Sequence, residues 1–335
     1  MKYRLFILTF ISCAYVLTPN AISAQTNYEL GEKERIAMNN QPAIEYYTLS
    51  IKEGLMLYES YNERGICKFI LEDFEGSSKD FLSALKYTNS DVEKQLHCIK
   101  YITNPPLKKL TLAISILDSL IKINPLVQYY DDRARYKHDK DDYTGAIEDY
   151  LYVMLHLPHP DHEIYWHLAD CYFEKRKFSD AIKNVNKVIE LSPQDYADHM
   201  GDMHIEKAYL FRGKCELELE NYKNALADFI LALSTEDEAT KPDVYNYIGE
   251  TKIYLEDYKG AVDELTKCID MHGGNTISVQ HHTLDDGNIY LKQAHLLRGI
   301  AYHALSNDVE ACNDWNRALQ LGETSVRENI KNFCK

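Results

Sequence analysis

The sequence predicts an all-α chain built as a stack of helical hairpins. Three observations carry this expectation. A motif of small and large residues recurs in steps of about 35 along the chain, apolar positions within each copy are three and four apart, and large amphipathic side chains outnumber turn formers. The 26 tyrosines stand against 14 glycines and 9 prolines, a balance that suits helix faces better than many tight turns. A chain of 335 residues makes two ordinary domains or one elongated array that grows without a single central core.

The clearest pair of copies is TGAIEDYLYVMLHLP beside SDAIKNVNKVIELSP, where Ala146 aligns with Ala181, Tyr150 with Val185, Val153 with Val188 and Pro158 with Pro193. The same frame finds anchors at Ala43, Ser77, Ala113, Ala225, Ala261 and Ala311. Twelve residues earlier it expects a second small residue, and Gly31, Gly65, Ala134, Ala169, Gly213, Gly249 and Gly299 comply; Tyr101 does not. Four residues after each anchor comes a large one: Tyr47, Phe81, Leu117, Tyr150, Val185, Phe229, Leu265 and Trp315. Two helices cross closely only where small side chains meet, so each copy reads as two helices, with the large residue filling the gap to the next hairpin. Pro125, Pro158 and Pro193 are expected to end second helices. One hairpin cannot bury its apolar face, whereas a stack can.

This pattern resembles the tetratricopeptide repeat, whose small, aromatic and proline positions recur over about 34 residues. The resemblance implies a right-handed superhelix (an α-solenoid) of about eight hairpins, with units near 24–57, 58–91, 94–126, 127–160, 162–195, 206–239, 242–275 and 292–322. Residues 323–335 then form a C-terminal cap, with a closing helix from Ser325 to Phe333. Trp315-Asn316-Arg317-Ala318 followed by Leu321-Gly322 is similar to the related Sel-one-like repeat, an ending shared with secreted bacterial repeat proteins. Pro105-Pro106 should stop the first helix of the third unit near Thr103. Insertions at Tyr196–Ile205 and Thr276–Leu291 are expected to lengthen the helices that follow them.

The first 24 residues read as a secretory signal: Lys2 and Arg4, an apolar run from Leu5 to Leu17, then Ala21, Ser23 and Ala24, with cleavage before Gln25. Lipid attachment at Cys13 and a retained anchor are the alternatives. Cleavage removes two positive charges and no acid, so the net charge of −15 becomes −17. Such a surface disfavours nucleic acid and anionic lipid. No apolar span follows Gln25, so no integral membrane segment is expected in the mature chain. The address is therefore outside the cytoplasm, in the periplasm or cell envelope of a bacterium. The seven remaining cysteines have no CxxC pair and fit no disulfide framework; small apolar core residues are the expectation.

Catalytic and metal sites find no support, and no cofactor is expected. His162-Glu163 and His167 are five apart rather than four, so the histidines point to different faces of one helix. His156 and His159 read as turn residues, and His199, His204, His281 and His282 fall in the insertions. Acid pairs at Asp131-Asp132, Asp141-Asp142 and Asp285-Asp286 read as turns or helix starts. Tyr129, Tyr247 and Tyr254 are candidates to line a surface.

The resemblance implies a concave wall made by the first helix of each unit, which takes an extended peptide or a partner's helix. Carrying that frame over gives Asn62 and Ile66, Asp131 and Arg135, Trp166 and Asp170, Leu210 and Lys214, then Asn246 and Glu250. The lysine, arginine and asparagine set with which chaperone-binding members clamp a terminal carboxylate is not assembled at these positions. Protein-binding candidates are Asp131, Arg135, Trp166, Asp170, Lys214, Asn246 and Glu250, with Trp166 as an aromatic anchor inside an acidic rim suited to a basic segment. The alternative for Trp166 is cover by the helix that follows. The function expected is an extracytoplasmic scaffold or adaptor; an architectural envelope subunit and a metal-binding accessory protein are the alternatives.

Overall fold

The computed structural model describes the backbone of residues 19–54, 56–104, 109–198, 205–233, 241–274 and 286–334, and side chains within 27–54, 56–104, 109–191, 205–233, 241–271 and 289–334. Among the described residues all regular structure is helical, so the all-α expectation stands. The chain divides into two units, Met1–Lys140 and Asp141–Lys335, and each is taken by itself. The first holds α1 (Pro19–Ile36), α2 (Asn40–Glu53), α3 (Leu57–Ile70), α4 (Phe74–Ala84), a 3-10 turn at Leu85–Tyr87, α5 (Val92–Thr103), α6 (Leu110–Ile123) and α7 (Val127–His138). The second holds α8 (Tyr143–His156), α9 (His162–Glu174), α10 (Phe178–Asp198), α11 (Ile205–Glu218), α12 (Tyr222–Ala232), α13 (Lys241–Tyr254), α14 (Tyr258–Gly274), α15 (Asp286–Ala304), α16 (Asp308–Gln320) and α17 (Arg327–Phe333). Within each unit consecutive helices pack in chain order.

The eight anchors from Ala43 to Ala311 are all fully buried, and so are the large residues four positions on, from Tyr47 to Trp315. Those large residues do more than fill the gap between hairpins. Each glycine of the first helix faces the large residue sixteen positions later in its own hairpin: a Cβ on Gly213 would come within 2.6 Å of the Phe229 ring. The glycine exists because the ring occupies the space a methyl group would need. The other side of the same ring meets the next hairpin. Phe81 stacks on Tyr101 at 4.6 Å between centroids, Tyr150 on His167 at 5.6 Å and Phe229 on Tyr247 at 5.3 Å. Tyr101, which breaks the small-residue rule, is thus the outer layer over Phe81.

Helix starts follow a second repeated signal. Asp73, Asp142 and Asp257 each accept a hydrogen bond at 3.0 Å from the backbone N–H of the glycine three residues on, the N-cap geometry that satisfies an orphan donor. Asp142 is therefore a helix start as expected. Asp131 and Asp132 instead lie inside α7, because Val127 already opens that helix. The residue two places before α2, α4, α8, α10, α12, α14 and α16 is left-handed although it is never glycine: Met38, Glu72, Asp141, Arg176, Glu220, Glu256 and Ser306 have φ between 55° and 63°.

The double proline ends α5 at Thr103, and α6 and α8 stop before Pro125 and Pro158. Pro193 does not stop its helix. The backbone of α10 runs through it to Asp198, so the first insertion extends the preceding helix, while α11 keeps ordinary length from Ile205. A proline forfeits one ladder bond and bends a helix, and the turns on either side hold when they keep their own bonds. The second insertion behaves as expected: α15 begins at Asp286 and reaches 19 residues. His199, His204, His281, His282, Asp285 and the residues before Pro19, where the sequence suggested a signal, lie outside the described residues.

Cys67, Cys98, Cys171, Cys215 and Cys268 are fully buried free thiols, with burial pushing the pKa of Cys67 up to about 11 and of the other four to about 12. They are core fillers, as the sequence suggested. The expectation fails for Cys312 and Cys334, which form a disulfide between α16 and the end of α17. A separation of 22 residues gave no framework spacing to read.

Candidate protein-binding face

The first helices of the hairpins, α1, α3, α5 and α7 in one unit and α9, α11, α13 and α15 in the other, carry the candidate residues. A tie that the sequence reading missed sets these helices on their partners. Arg64, Arg212 and Arg298 each sit just before the close-approach glycine and grip the aspartate sixteen residues on with both carboxylate oxygens. The shortest contacts are 2.6 Å for Arg64–Asp80 and Arg212–Asp228, and 2.8 Å for Arg298–Asp314. The remaining arm of each guanidinium donates to the preceding hairpin: to Thr48 Oγ1 at 2.9 Å, Asn186 Oδ1 at 2.6 Å and Thr266 Oγ1 at 3.0 Å. Burial alone would raise the carboxyl pKa of Asp314, but hydrogen bonds from Arg298 and His295 outweigh it and hold the group below its ordinary range. The signal was present as Arg-Gly followed by Asp and an aromatic: Arg64-Gly65 with Asp80-Phe81, Arg212-Gly213 with Asp228-Phe229, and Arg298-Gly299 with Asp314-Trp315.

In the first unit ion pairs join the first helices alongside a ring contact, Phe69 of α3 against Tyr101 of α5, and hydrogen bonds between α5 and α7 at Gln95–Tyr129 and Thr103–Tyr136. Arg35 of α1 reaches Glu63 of α3 at 3.1 Å, and Glu59 of α3 reaches Lys94 of α5 at 3.2 Å. Lys94 also lies 4.4 Å from the centroid of the Tyr58 ring. Of the predicted residues, Asp131 and exposed Arg135 pair with each other along α7 at 2.7 Å. Asn62 is buried and donates to Glu63 at 3.0 Å. Tyr129, a surface candidate in the sequence, is core: it is 3% exposed and its hydroxyl bonds Gln95.

In the second unit the first helices are joined mainly by aromatic rings. Trp166 of α9 is half-buried, with its ring 5.2 Å from Phe211 of α11, so the following first helix covers one side of it. Lys214 of α11 lies over the Tyr247 ring of α13 at 4.9 Å, and Tyr247 meets Tyr290 of α15 edge-on at 6.2 Å. Tyr254 remains a surface residue at 52% exposure, stacked on Tyr222 at 4.8 Å.

Three predicted residues here are desolvated to different degrees. Asn246 is fully buried, and neither its Nδ2 nor its Oδ1 has a hydrogen-bond partner among the described residues. Glu250 follows one turn later on the same helix face; burial first, and Glu218 second, raise its carboxyl pKa. Burial lowers the ammonium pKa of Lys214, with Asp243 offsetting part of the shift. Asp170 is half-buried on α9, and its charge helps hold the Tyr143 hydroxyl above its ordinary pKa, though the bond to Asp141 is the main cause. Lys214 of α11 and Glu250 of α13 both lie near Tyr247, and Asn246 is on the same helix as Glu250. Asp131 and Arg135 belong to the other unit. Among the described residues there is no group of three metal-ligating side chains, and no helix long and apolar enough to cross a membrane.

A sequence model of the tetratricopeptide repeat matches residues 162–195, the α9–α10 hairpin. No curated protein matches the chain. Among solved structures, a tetratricopeptide repeat protein from Parabacteroides merdae is 15% identical, covers 83% of this chain and 97% of its own, and superposes with a TM-score of 0.50. BtubC from P. vanneervenii is 16% identical over 68% of this chain and 91% of its own, also at 0.50. The C-terminal part of a repeat protein from Cytophaga hutchinsonii, 14% identical, covers 93% and 99% at a TM-score of 0.49. Identities this low speak to fold alone. The two superpositions at 0.50 support a helical-repeat solenoid fold, and the one matched repeat lies within it at α9–α10.

Proposed function

We propose that this chain is a protein-interaction scaffold that holds an extended partner segment against α11 and α13, at Lys214, Asn246 and Glu250. One observation carries the proposal: the Asn246 carboxamide is fully buried with both polar atoms unpartnered. An unsatisfied buried amide costs about 1–3 kcal/mol, and a peptide backbone that reaches it when the packing over Asn246 opens would supply the donor and acceptor that it lacks. Glu250 and Lys214 add opposite charges that burial has pushed toward neutrality, so a segment bringing a lysine or arginine to Glu250 and a carboxylate to Lys214 would restore both. Asp170 on α9 extends the acidic side. Trp166 fits as an aromatic neighbour whose free edge a partner covers, while its other face packs on Phe211.

The test compares binding of the same partner, found with the parent chain as bait, to parent and Asn246→Leu by calorimetry. Affinity should fall at least tenfold while the variant unfolds no sooner than the parent. Equal affinity would sink the proposal. The address proposed is extracytoplasmic in a bacterium, supported by the basic, apolar and small-residue order of the first 24 residues. A cysteine pair held as a disulfide also suits an oxidising compartment. Mass spectrometry of protein expressed in a Gram-negative host should find a chain beginning at Gln25; an intact Met1 in the cytoplasm would refute export.

A further inference from the structure

The last hairpin, α15 and α16, is covered by α17, a helix of only seven residues. A helix so short has little stability of its own in water and depends on what holds it down. Its apolar grip is small. Val326 just before it is fully buried, Ile330 is partly buried, and Phe333 remains 45% exposed. The Phe333 ring lies 4.2 Å from His303 and 6.1 Å from Trp315. Arg327, Glu328, Lys331 and Asn332 face solvent. Beneath the cap Trp315 is 1% exposed, and its Nε1–H has no hydrogen-bond acceptor. Its Nε1 edge packs against Gly299 of α15, so opening the cap would uncover the part of the ring that faces Phe333. The covalent restraint is the Cys312–Cys334 disulfide at the far end of α17, and both cysteines are only half-buried. The other five described thiols are fully buried with raised pKa values, so they do not compete for a reagent in solution.

We propose that the Cys312–Cys334 disulfide is a redox lock on the C-terminal cap, and that reduction by a dithiol releases α17 from the last hairpin and opens the face around Trp315. In that step a thiolate of the dithiol attacks one cysteine sulfur and the protein S–S bond breaks. The second thiol of the reagent then resolves the mixed disulfide. Two electrons and two protons end on Cys312 and Cys334, and the dithiol leaves as a disulfide. The cap loses the tether that kept it at high local concentration over its site.

Hydrogen–deuterium exchange of the full chain, with and without dithiothreitol, reads the lock directly. Reduction should speed exchange of residues 326–333 by about tenfold or more, while 294–301 of α15 keep their protection. A Trp166→Phe background leaves Trp315 as the single tryptophan of the two in the chain, and its emission should shift to the red on reduction. Alkylation after mild reduction should label Cys312 and Cys334 ahead of the five buried thiols. Cys312→Ser/Cys334→Ser should behave as the reduced form in either condition. The proposal is overturned if 326–333 stay protected and Trp315 emission is unmoved once alkylation shows both thiols free. It is also overturned if the oxidised chain takes label at these positions before reduction. None of these readouts depends on the partner face at Asn246.

Discussion

The same structural device, a row of first helices, is finished differently in the two units. In the first, ion pairs link many of its polar groups, Arg35 with Glu63, Glu59 with Lys94 and Asp131 with Arg135, although Asn62 Oδ1 and His97 Nε2 stay buried without a partner. In the second, rings connect the helices through Trp166–Phe211 and Tyr247–Tyr290, with Lys214 over Tyr247. Rings join helices without satisfying hydrogen bonds, and Asn246 is left buried with neither amide atom partnered. A self-paired face gains little from a ligand, because each new contact replaces an existing one. A desolvated, unpaired face gains the full contact.

The largest effect should leave that comparison intact, because the arginine ties are common to both units. Asp80→Ala and Asp228→Ala each strand a mostly buried guanidinium and should cost about 3 kcal/mol in urea unfolding. A loss in only one unit would show that the units differ in framework as well as in face. Next come the two buried asparagines. Asn246→Leu removes an unsatisfied amide and should stabilise by about 1 kcal/mol, whereas Asn62→Leu breaks the bond to Glu63 and should cost about 1 kcal/mol. Shifts of one sign in both would erase the contrast.

Glu250 sharpens it through pH. Folding raises its carboxyl pKa, so the unfolded chain ionises first as pH rises, and stability falls from about pH 4 until the folded pKa is passed. Glu250→Gln should therefore stabilise at neutral pH, with the gain vanishing below about pH 4. Burial also raises Glu63, but there the same change strips Arg35 of its partner and should yield no gain. The smallest expected effect is again common to both units. Glu72→Gly and Glu256→Gly relieve a left-handed backbone and should each add a few tenths to about 1 kcal/mol to thermal stability, net of glycine's entropy. A loss at either site would mean that the side chain there makes a contact worth more than its strain.

Much of the architecture was legible because its rules are short-range. A close helix crossing needs a small residue, and the ring that fills the crossing lies sixteen positions on, so the pattern recurs with the repeat and can be counted from Gly31–Tyr47 to Gly299–Trp315. Helix ends at Thr103, Ile123 and His156 followed from proline in the same way. Pro193 misled because a proline costs a bond wherever it stands, while the bonds around it decide whether the helix goes on. The arginine ties were written in the sequence but passed unread, since each is a pair of ordinary dipeptides sixteen residues apart.

By itself the sequence determined the helical class, the repeat register, the buried anchors and the five core cysteines, because each depends on residues of one hairpin and the chain spells that hairpin out repeatedly. It also put Asn246, Glu250 and Lys214 on one kind of face. Only the tertiary structure decided that Asn246 finds no hydrogen-bond partner, that Tyr129 is core and Tyr254 surface, and that Cys312 meets Cys334. Those outcomes depend on distances between helices whose contacting residues are tens of positions apart, on which side of a ring a neighbour packs, and on whether water or protein fills the remaining gap. Periodicity sets which way a side chain points; the helices packed against it set what it finds there.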